Sequence, residues 1–129
     1  MAFRLGVDIL SIDRVSRAVD RTGDRFLQRS FTTREVRESL SADRPHACLA
    51  ARFAAKESVY KALRSMFDLN PRWREIEVLT EGERPKAMLW GATAKLALRN
   101  GVEEIDVSIS HDWNCRAAIA VALVKYAEK

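Results

Sequence analysis

Hydrophobic and polar residues alternate at the start of the chain, as in a β-strand with one buried face. Residues 3–9 read FRLGVDI, and their apolar positions are Phe3, Leu5, Val7 and Ile9. A period of two predicts a strand whose apolar face meets the core. Asp8 lies on the other face, so we expect its side chain to point away from the main core.

A helical period follows in three stretches. The first begins at Ile12 and is broken by Gly23. Thr32 and Glu35 have the spacing of a capping box, which predicts the start of a short second helix. The third helix is long: it covers residues 45–67, and its proline suits the first turn.

The second half of the chain begins with the pattern of a hairpin. Residues 75–79 and 86–90 predict two strands, and the segment between them has turn residues at 82–85. A short helix over residues 92–100 ends at Gly101, a residue type that commonly follows the last helical position.

Two further strands end the chain. Residues 105–110 alternate strictly and place Ser108 and Ser110 on one outer face. The run CRAAIAVALV at residues 115–124 is typical of a strand covered on both faces, by a helix or by another subunit. The order β-ααα-ββ-α-ββ predicts one α+β domain over residues 1–129, with a mostly antiparallel sheet packed on the long helix.

Composition narrows the class of protein. A chain of 129 residues suits one domain that folds without a metal or disulfide staple. The two cysteines are far apart, which favours a reducing compartment. There is neither a secretion signal nor an apolar run long enough for a membrane span. We therefore expect a cytoplasmic protein.

The positive charge is concentrated in the first half of the chain. Residues 1–65 hold 13 Lys and Arg against 8 Asp and Glu, in a chain of net charge +4. One face of the first helix carries Arg14, Arg17 and Arg21, which form either a solvated surface or a docking strip for an acidic partner. Nucleic acid is an alternative partner, but no recognition motif or stacking aromatics support it.

The long helix carries charged residues where its apolar stripe should run. At 100° per residue, Lys56 falls within the arc of the apolar positions and Glu57 at its edge, with Lys61 one turn later. Glu57 and Lys61 have the spacing of an ordinary i,i+4 ion pair. The alternative is a site for phosphate and a divalent cation, in which Asp8 and Glu57 would be the oxygen ligands of Mg²⁺.

Two histidines and two serines complete the candidate chemistry. His111 lies at the tip between the last strands, where it is either solvated or bound to a phosphate, whereas His46 is expected to be structural or a surface residue. Ser108 and Ser110 have no base nearby in sequence, which argues against a hydrolase nucleophile.

Three segments together resemble the holo-acyl-carrier-protein synthases, which are small bacterial 4′-phosphopantetheinyl transferases. They are GVDILSIDRV at residues 6–15, FAAKESVYKAL at 53–63 and VSISHD at 107–112, in the family's order. The resemblance extends over nearly the whole chain. It implies the 4′-phosphopantetheinyl transferase fold and Mg²⁺-dependent transfer of phosphopantetheine from coenzyme A to a serine of apo acyl carrier protein, releasing adenosine 3′,5′-bisphosphate.

The resemblance also implies roles for individual residues. Asp8 and Glu57 would bind Mg²⁺, and Glu57 or a metal-bound water would take the serine's proton. Coenzyme A would be bound by four residues, Lys61, Ser110, His111 and Pro85. Lys61 would stabilise the leaving group, and His111 would reach phosphate across a subunit boundary in a homotrimer. The arginine strip would dock the acidic helix of the carrier.

The chain departs from the family pattern after Leu63. The family has a glycine-containing loop there, whereas the segment up to Trp73 has no glycine. The turn ending at Pro85 is one residue longer than the family's. Two alternatives stay open on the sequence: a non-catalytic or specialised carrier-binding relative, and a small basic nucleic-acid-binding module.

Overall fold

The computed structural model describes residues 1–128 and has a 20-residue helix, α4 (Pro45–Arg64), at its centre. The other elements are β1 (Ala2–Ser11), α1 (Ile12–Thr22), α2 (Asp24–Ser30), α3 (Thr33–Leu40), a 3-10 turn (Trp73–Glu75), β2 (Ile76–Glu81), β3 (Arg84–Leu89), α5 (Gly91–Arg99), β4 (Val102–Asp112) and β5 (Ala117–Tyr126). The predicted α+β order is confirmed, with the short helix α2 as an addition. No helix among residues 1–128 is both long and apolar enough to cross a membrane.

The strands form two antiparallel sheets. The larger sheet has the order β1-β5-β4, and the β2-β3 hairpin is separate from it. Helix α4 packs on the inner face of the larger sheet, where the β5 residues Ala118, Ala120 and Ala122 are fully buried. Small side chains at these positions allow the helix to approach the strands closely.

Gly6 brings β1 into contact with the backbone of α4. A Cβ at this position would lie 1.9 Å from the carbonyl oxygen of Ser58 and 2.8 Å from the amide nitrogen of Ala62. No side chain fits in this space, so glycine is required for the close approach of strand and helix. This approach carries Asp8, two residues later, to the surface of α4.

The predicted orientation of β1 is wrong. Gly6 and Asp8 face α4 and are buried, whereas the apolar positions of the strand face outward and are between 52% and 69% exposed. These exposed residues are Phe3, Leu5, Val7 and Ile9. Alternation separates the two faces of a strand, but the close contact at Gly6 decides which of them the helix covers.

Strand β5 is covered on one face only in the single chain. The inner face packs on α4, whereas Ile119, Val121 and Leu123 point outward and are substantially exposed. They lie directly opposite outward residues of β1, in the pairs Leu5–Leu123, Val7–Val121 and Ile9–Ile119. We call these seven residues the outer face: Phe3, Leu5, Val7, Ile9, Ile119, Val121 and Leu123.

The buried charge of α4 has a partner in α3. Lys56 is 0% exposed, and its Nζ donates to Oε1 of Glu35 at 2.5 Å. Glu35 is the capping-box residue of α3 and also accepts from the backbone amides of Thr32 (2.8 Å) and Val78 (2.7 Å). Lys56 therefore belongs to a buried network that joins α3, α4 and β2.

Candidate active site

Strand β1 and helix α4 bring three predicted residues together. Lys61 donates from Nζ to Oδ1 of Asp8 at 2.9 Å and to the backbone carbonyl of Val7 at 3.1 Å. The carboxylate of Glu57 lies beside that of Asp8, so that two negative charges are close together. We call Asp8, Glu57 and Lys61 the acidic cluster. The expected surface i,i+4 pair is absent from residues 1–128, since Lys61 bonds Asp8 instead of Glu57.

The two carboxylates repel each other electrostatically. Burial first, and then the charge of the neighbouring Asp8, raise the pKa of Glu57 to about 7, against the opposing effects of Lys61 and Arg14. Asp8 is 7% exposed, and its Oδ2 has no hydrogen-bond partner among the described residues. A buried carboxylate oxygen without a donor has an uncompensated desolvation cost.

This arrangement fits a hard divalent cation. Mg²⁺ typically takes one or two carboxylates and leaves its other positions to water and substrate phosphate. The unpartnered oxygen of Asp8 and the adjacent Glu57 carboxylate provide this donor set, and within residues 1–128 no group of three or more His, Cys, Asp or Glu forms a fuller cage. A cation held by only these two carboxylates would have its other positions available to water and phosphate.

The predicted docking strip lies next to the acidic cluster. Ser11 caps α1 by accepting from the backbone amide of Arg14, which places Arg14 in the first turn of the helix. Arg14, Arg17 and Arg21 are all exposed. The charge of Arg14 is close enough to Glu57 to lower its pKa, so the strip begins at the edge of the cluster.

Other predicted residues line a second region at the opposite edge of the sheet. A cavity of about 460 Å³ lies between the start of α4, the β2-β3 hairpin and the end of β4. Pro85 and His111 line it, whereas Ser110 points to the outer side of β4 and is exposed. His46, outside this cavity, accepts or donates a hydrogen bond at Ser16 Oγ (3.0 Å), in agreement with a structural role.

Three cavity residues were missed by the sequence interpretation. Arg52 is buried beside the cavity and is held by Glu38 and by Thr80 Oγ1 (3.0 Å), yet its Nε has no partner among the described residues. Arg44 and Trp113 lie at the same cavity. Their contacts join distant parts of the chain, and no periodicity or motif in the sequence indicates them.

His111 does not meet the acidic cluster within one chain. Asp8 pairs with Ala120 on one side of β5, and His111 pairs with Ala118 on the other. Two strand spacings separate the edge strands β1 and β4, which amounts to roughly 10 Å between their backbones. The cluster and the cavity are therefore separate regions of the single chain.

Comparisons with known proteins identify the family of this chain. The sequence pattern of the 4′-phosphopantetheinyl transferase superfamily matches residues 4–121. The holo-[acyl-carrier-protein] synthase of Moorella thermoacetica is 47% identical over 122 residues, which cover 93% of this chain and 91% of that protein. The synthase of Chlamydia trachomatis serovar D is 38% identical over 120 residues, with coverages of 93% and 98%.

Solved structures of synthases have the same fold as this chain. The complex of the Chronobacterium ammoniagenes synthase with coenzyme A has a TM-score of 0.84 at 29% identity, and the match covers 99% of this chain and 100% of that one. The acyl carrier protein synthase of Mycobacterium tuberculosis has a TM-score of 0.74 at 35% identity, with coverages of 96% and 97%. On its sequence and its fold together, this chain belongs to the 4′-phosphopantetheinyl transferase superfamily.

Proposed function

We propose that this protein transfers 4′-phosphopantetheine from coenzyme A to a serine of apo acyl carrier protein, giving the holo carrier and adenosine 3′,5′-bisphosphate. The observation that carries the proposal is the acidic cluster, in which two adjacent carboxylates and an ammonium group lie at an open edge of the sheet. Relatives named for this activity match over nearly the whole chain, and one similar structure is a complex with coenzyme A.

Asp8 and Glu57 would hold Mg²⁺ in this site. The unpartnered Oδ2 of Asp8 and the raised pKa of Glu57 support this assignment, because both indicate a place where positive charge is missing. When bound, the cation supplies charge that neutralises the pyrophosphate of coenzyme A.

The chain's own residues account for the movement of charge during transfer. The serine oxygen attacks the phosphorus that bears the pantetheine arm, and the bond from this phosphorus to the bridging oxygen breaks. The leaving oxygen departs on adenosine 3′,5′-bisphosphate and gains negative charge. Lys61, whose side chain is 42% exposed beside Asp8, would stabilise that charge.

Glu57 would accept the proton of the attacking serine. Its carboxylate lies beside Asp8 and Lys61, where the serine would approach the phosphorus. A carboxylate has two oxygens, so one can face a cation while the other takes the proton. No covalent enzyme intermediate is required, because the serine attacks coenzyme A directly.

The cavity at the other edge would hold the nucleotide end of coenzyme A. Arg44, Arg52 and His111 provide donors for its 3′-phosphate, and Pro85 and Trp113 offer apolar surface for the adenine. Ser110 and His111 come from neighbouring positions at the end of β4. Ser110, which points to the other side of the strand, would contact coenzyme A at the rim of the site.

The site would be completed between copies in a homotrimer. The outer face is an exposed apolar surface on the sheet that carries both Asp8 and His111, and surfaces of this kind mark interfaces. Contact through the outer face would bring the cavity of one copy to the acidic cluster of another. The free cysteines, Cys48 and Cys115, fit the cytoplasmic location that we propose.

The carrier would dock on the arginine strip. We expect Arg14→Glu to raise the KM for apo acyl carrier protein by about tenfold or more, since the reversal places like charges across the interface. Steady-state kinetics with each substrate varied in turn would measure the effect. Arg99→Glu, at an exposed position at the end of α5, has the same charge change and should alter neither KM. An equal increase in the KM for the carrier and in the KM for coenzyme A would show that the carrier does not dock on the arginine strip.

Intact-mass analysis tests the proposed function. Apo acyl carrier protein is incubated with the protein, coenzyme A and Mg²⁺, and a parallel sample contains a chelator. A mass gain equal to one phosphopantetheine arm, absent with chelator, is the expected result. An unchanged mass with carriers of fatty-acid and synthetase types would refute the proposal and favour a carrier-binding role.

A further inference from the structure

Trp113 contacts two other side chains at the cavity, those of His111 and Arg44. The indole is 43% exposed and contributes nothing to either hydrophobic core. Its ring is parallel to the imidazole of His111 within 4°, with 5.7 Å between the ring centroids. The guanidinium carbon of Arg44 lies 4.1 Å from the indole centroid. We call Arg44, Trp113 and His111 the stack.

The backbone fixes the stack at the mouth of the cavity. The β4-β5 turn is held by Oδ1 of Asp112, which accepts from the amides of Asn114 (2.8 Å) and Cys115 (3.2 Å). Trp113 is inside this turn, and Arg44 directly precedes α4. Stacking therefore ties the tip of the sheet to the start of the long helix, on either side of the cavity entrance.

We propose that Trp113 is a positioning residue that orients Arg44 and His111 toward the 3′-phosphate of coenzyme A, and so makes the enzyme prefer coenzyme A over 3′-dephospho-coenzyme A. This inference rests on the proposed function. A cation over an aromatic face is attracted to it, and an imidazole stacked on the same ring loses rotational freedom. Both donors are thereby prearranged before the nucleotide binds.

The hydrogen-bond donors at the cavity favour the 3′-phosphate as the group that the stack recognises. The pyrophosphate is assigned to the acidic cluster with Lys61, at the opposite edge of the sheet. The cavity has two cationic groups of its own, Arg44 and the buried Arg52, and two acidic residues, Asp43 and Glu83, also line it. Arg52 is paired with Glu38, and its Nε has no partner among the described residues. A terminal dianionic phosphate is the part of coenzyme A that matches two guanidinium groups and an imidazole in one cavity.

Substrate discrimination tests the role of Trp113. Steady-state transfer is measured with coenzyme A and with 3′-dephospho-coenzyme A, for the native protein and for Trp113→Leu and Trp113→Phe. We expect Trp113→Leu to raise the KM for coenzyme A by roughly fivefold to tenfold, with kcat little changed. The KM for 3′-dephospho-coenzyme A should stay the same, and Trp113→Phe should restore most of the preference because it keeps an aromatic face.

The control is Trp90→Leu, which removes an equally exposed tryptophan outside the cavity and should leave the substrate preference unchanged. An equal increase in KM for both substrates in Trp113→Leu, or no increase for either, would overturn the inference. If the native protein transfers from neither substrate, the proposed function fails. In that case, calorimetry measures the binding of adenosine 3′,5′-bisphosphate and of 5′-AMP to the native protein and to Trp113→Leu. If Trp113→Leu binds the bisphosphate more weakly and 5′-AMP as well as before, the inference is supported. If the variant binds both nucleotides as the native protein does, the inference is contradicted.

Discussion

Replacing Glu57 by Gln is expected to reduce phosphopantetheine transfer by roughly 10²- to 10⁴-fold, the usual effect of losing a general base. The substitution preserves the shape of the side chain but removes the charge that would face Mg²⁺ and the group that would accept the serine's proton. Turnover measured as the mass gain of apo acyl carrier protein, over a range of Mg²⁺ concentrations, checks this prediction.

The fold of Glu57→Gln should remain intact. The pKa of Glu57 lies above the ordinary value of 4.5, at about 7, so the carboxylate reduces stability progressively as the pH rises between these two values. An amide has no such charge, and we expect the melting temperature at pH 8 without metal to be equal or higher. Glu103→Gln on an exposed position of β4 is the matched control. Undiminished turnover in Glu57→Gln would refute the role of the acidic cluster.

Replacing Lys56 by Met is expected to destabilise the protein by about 3–5 kcal/mol, the cost of removing one partner of a buried ion pair. Burial lowers the pKa of Lys56 and raises that of Glu35, while the two charges oppose these shifts by stabilising each other. Without the ammonium group, Glu35 is left in the core with only backbone donors. The loss is a large fraction of the total stability of a domain, which is about 5–15 kcal/mol.

Urea denaturation at pH 7 measures this effect. The double variant Glu35→Gln with Lys56→Met removes both charges, and we expect it to be more stable than Lys56→Met alone. Lys95→Met, on an exposed position of α5, should change stability by no more than about 0.5 kcal/mol. A Lys56→Met protein within about 1 kcal/mol of the native one would show that the pair does not stabilise the core.

The sequence predicted the elements of the fold better than their contacts. Caps and periodicity gave the long helix, the capping box at Thr32 and the hairpin, all of which the structure confirms. Helix α2 was missed because its seven residues are too few to establish an apolar period and Gly23 provides no side-chain cap. Short helices depend on tertiary packing more than on local signals.

The charged residues of α4 show why the site was only partly predictable. Helical geometry indicated that Lys56 lies among apolar positions, but its partner Glu35 is 21 residues away and belongs to another helix. The orientation of Asp8 depended on the contact of Gly6 with Ser58, which no alternation pattern contains. Trp113 and Arg44 are brought together by the fold alone, since 69 positions separate them in the sequence.

A complementation measurement tests most directly the claim that one transferase site is assembled from two copies. Glu57→Gln and His111→Ala chains carry different affinity tags, are expressed together, and mixed assemblies are isolated with both tags in sequence. Each variant alone should show low transfer activity. In a closed ring formed at random from equal amounts, one site in about four takes an intact Glu57 from one copy and an intact His111 from its neighbour.

We therefore predict that the mixed population recovers about a quarter of the native activity before selection, and more after the two tags enrich the mixed rings. The mass gain of apo acyl carrier protein again measures transfer. Mixed assemblies no more active than the average of the two variants would contradict the account, because a site contained within one chain cannot regain both residues by mixing.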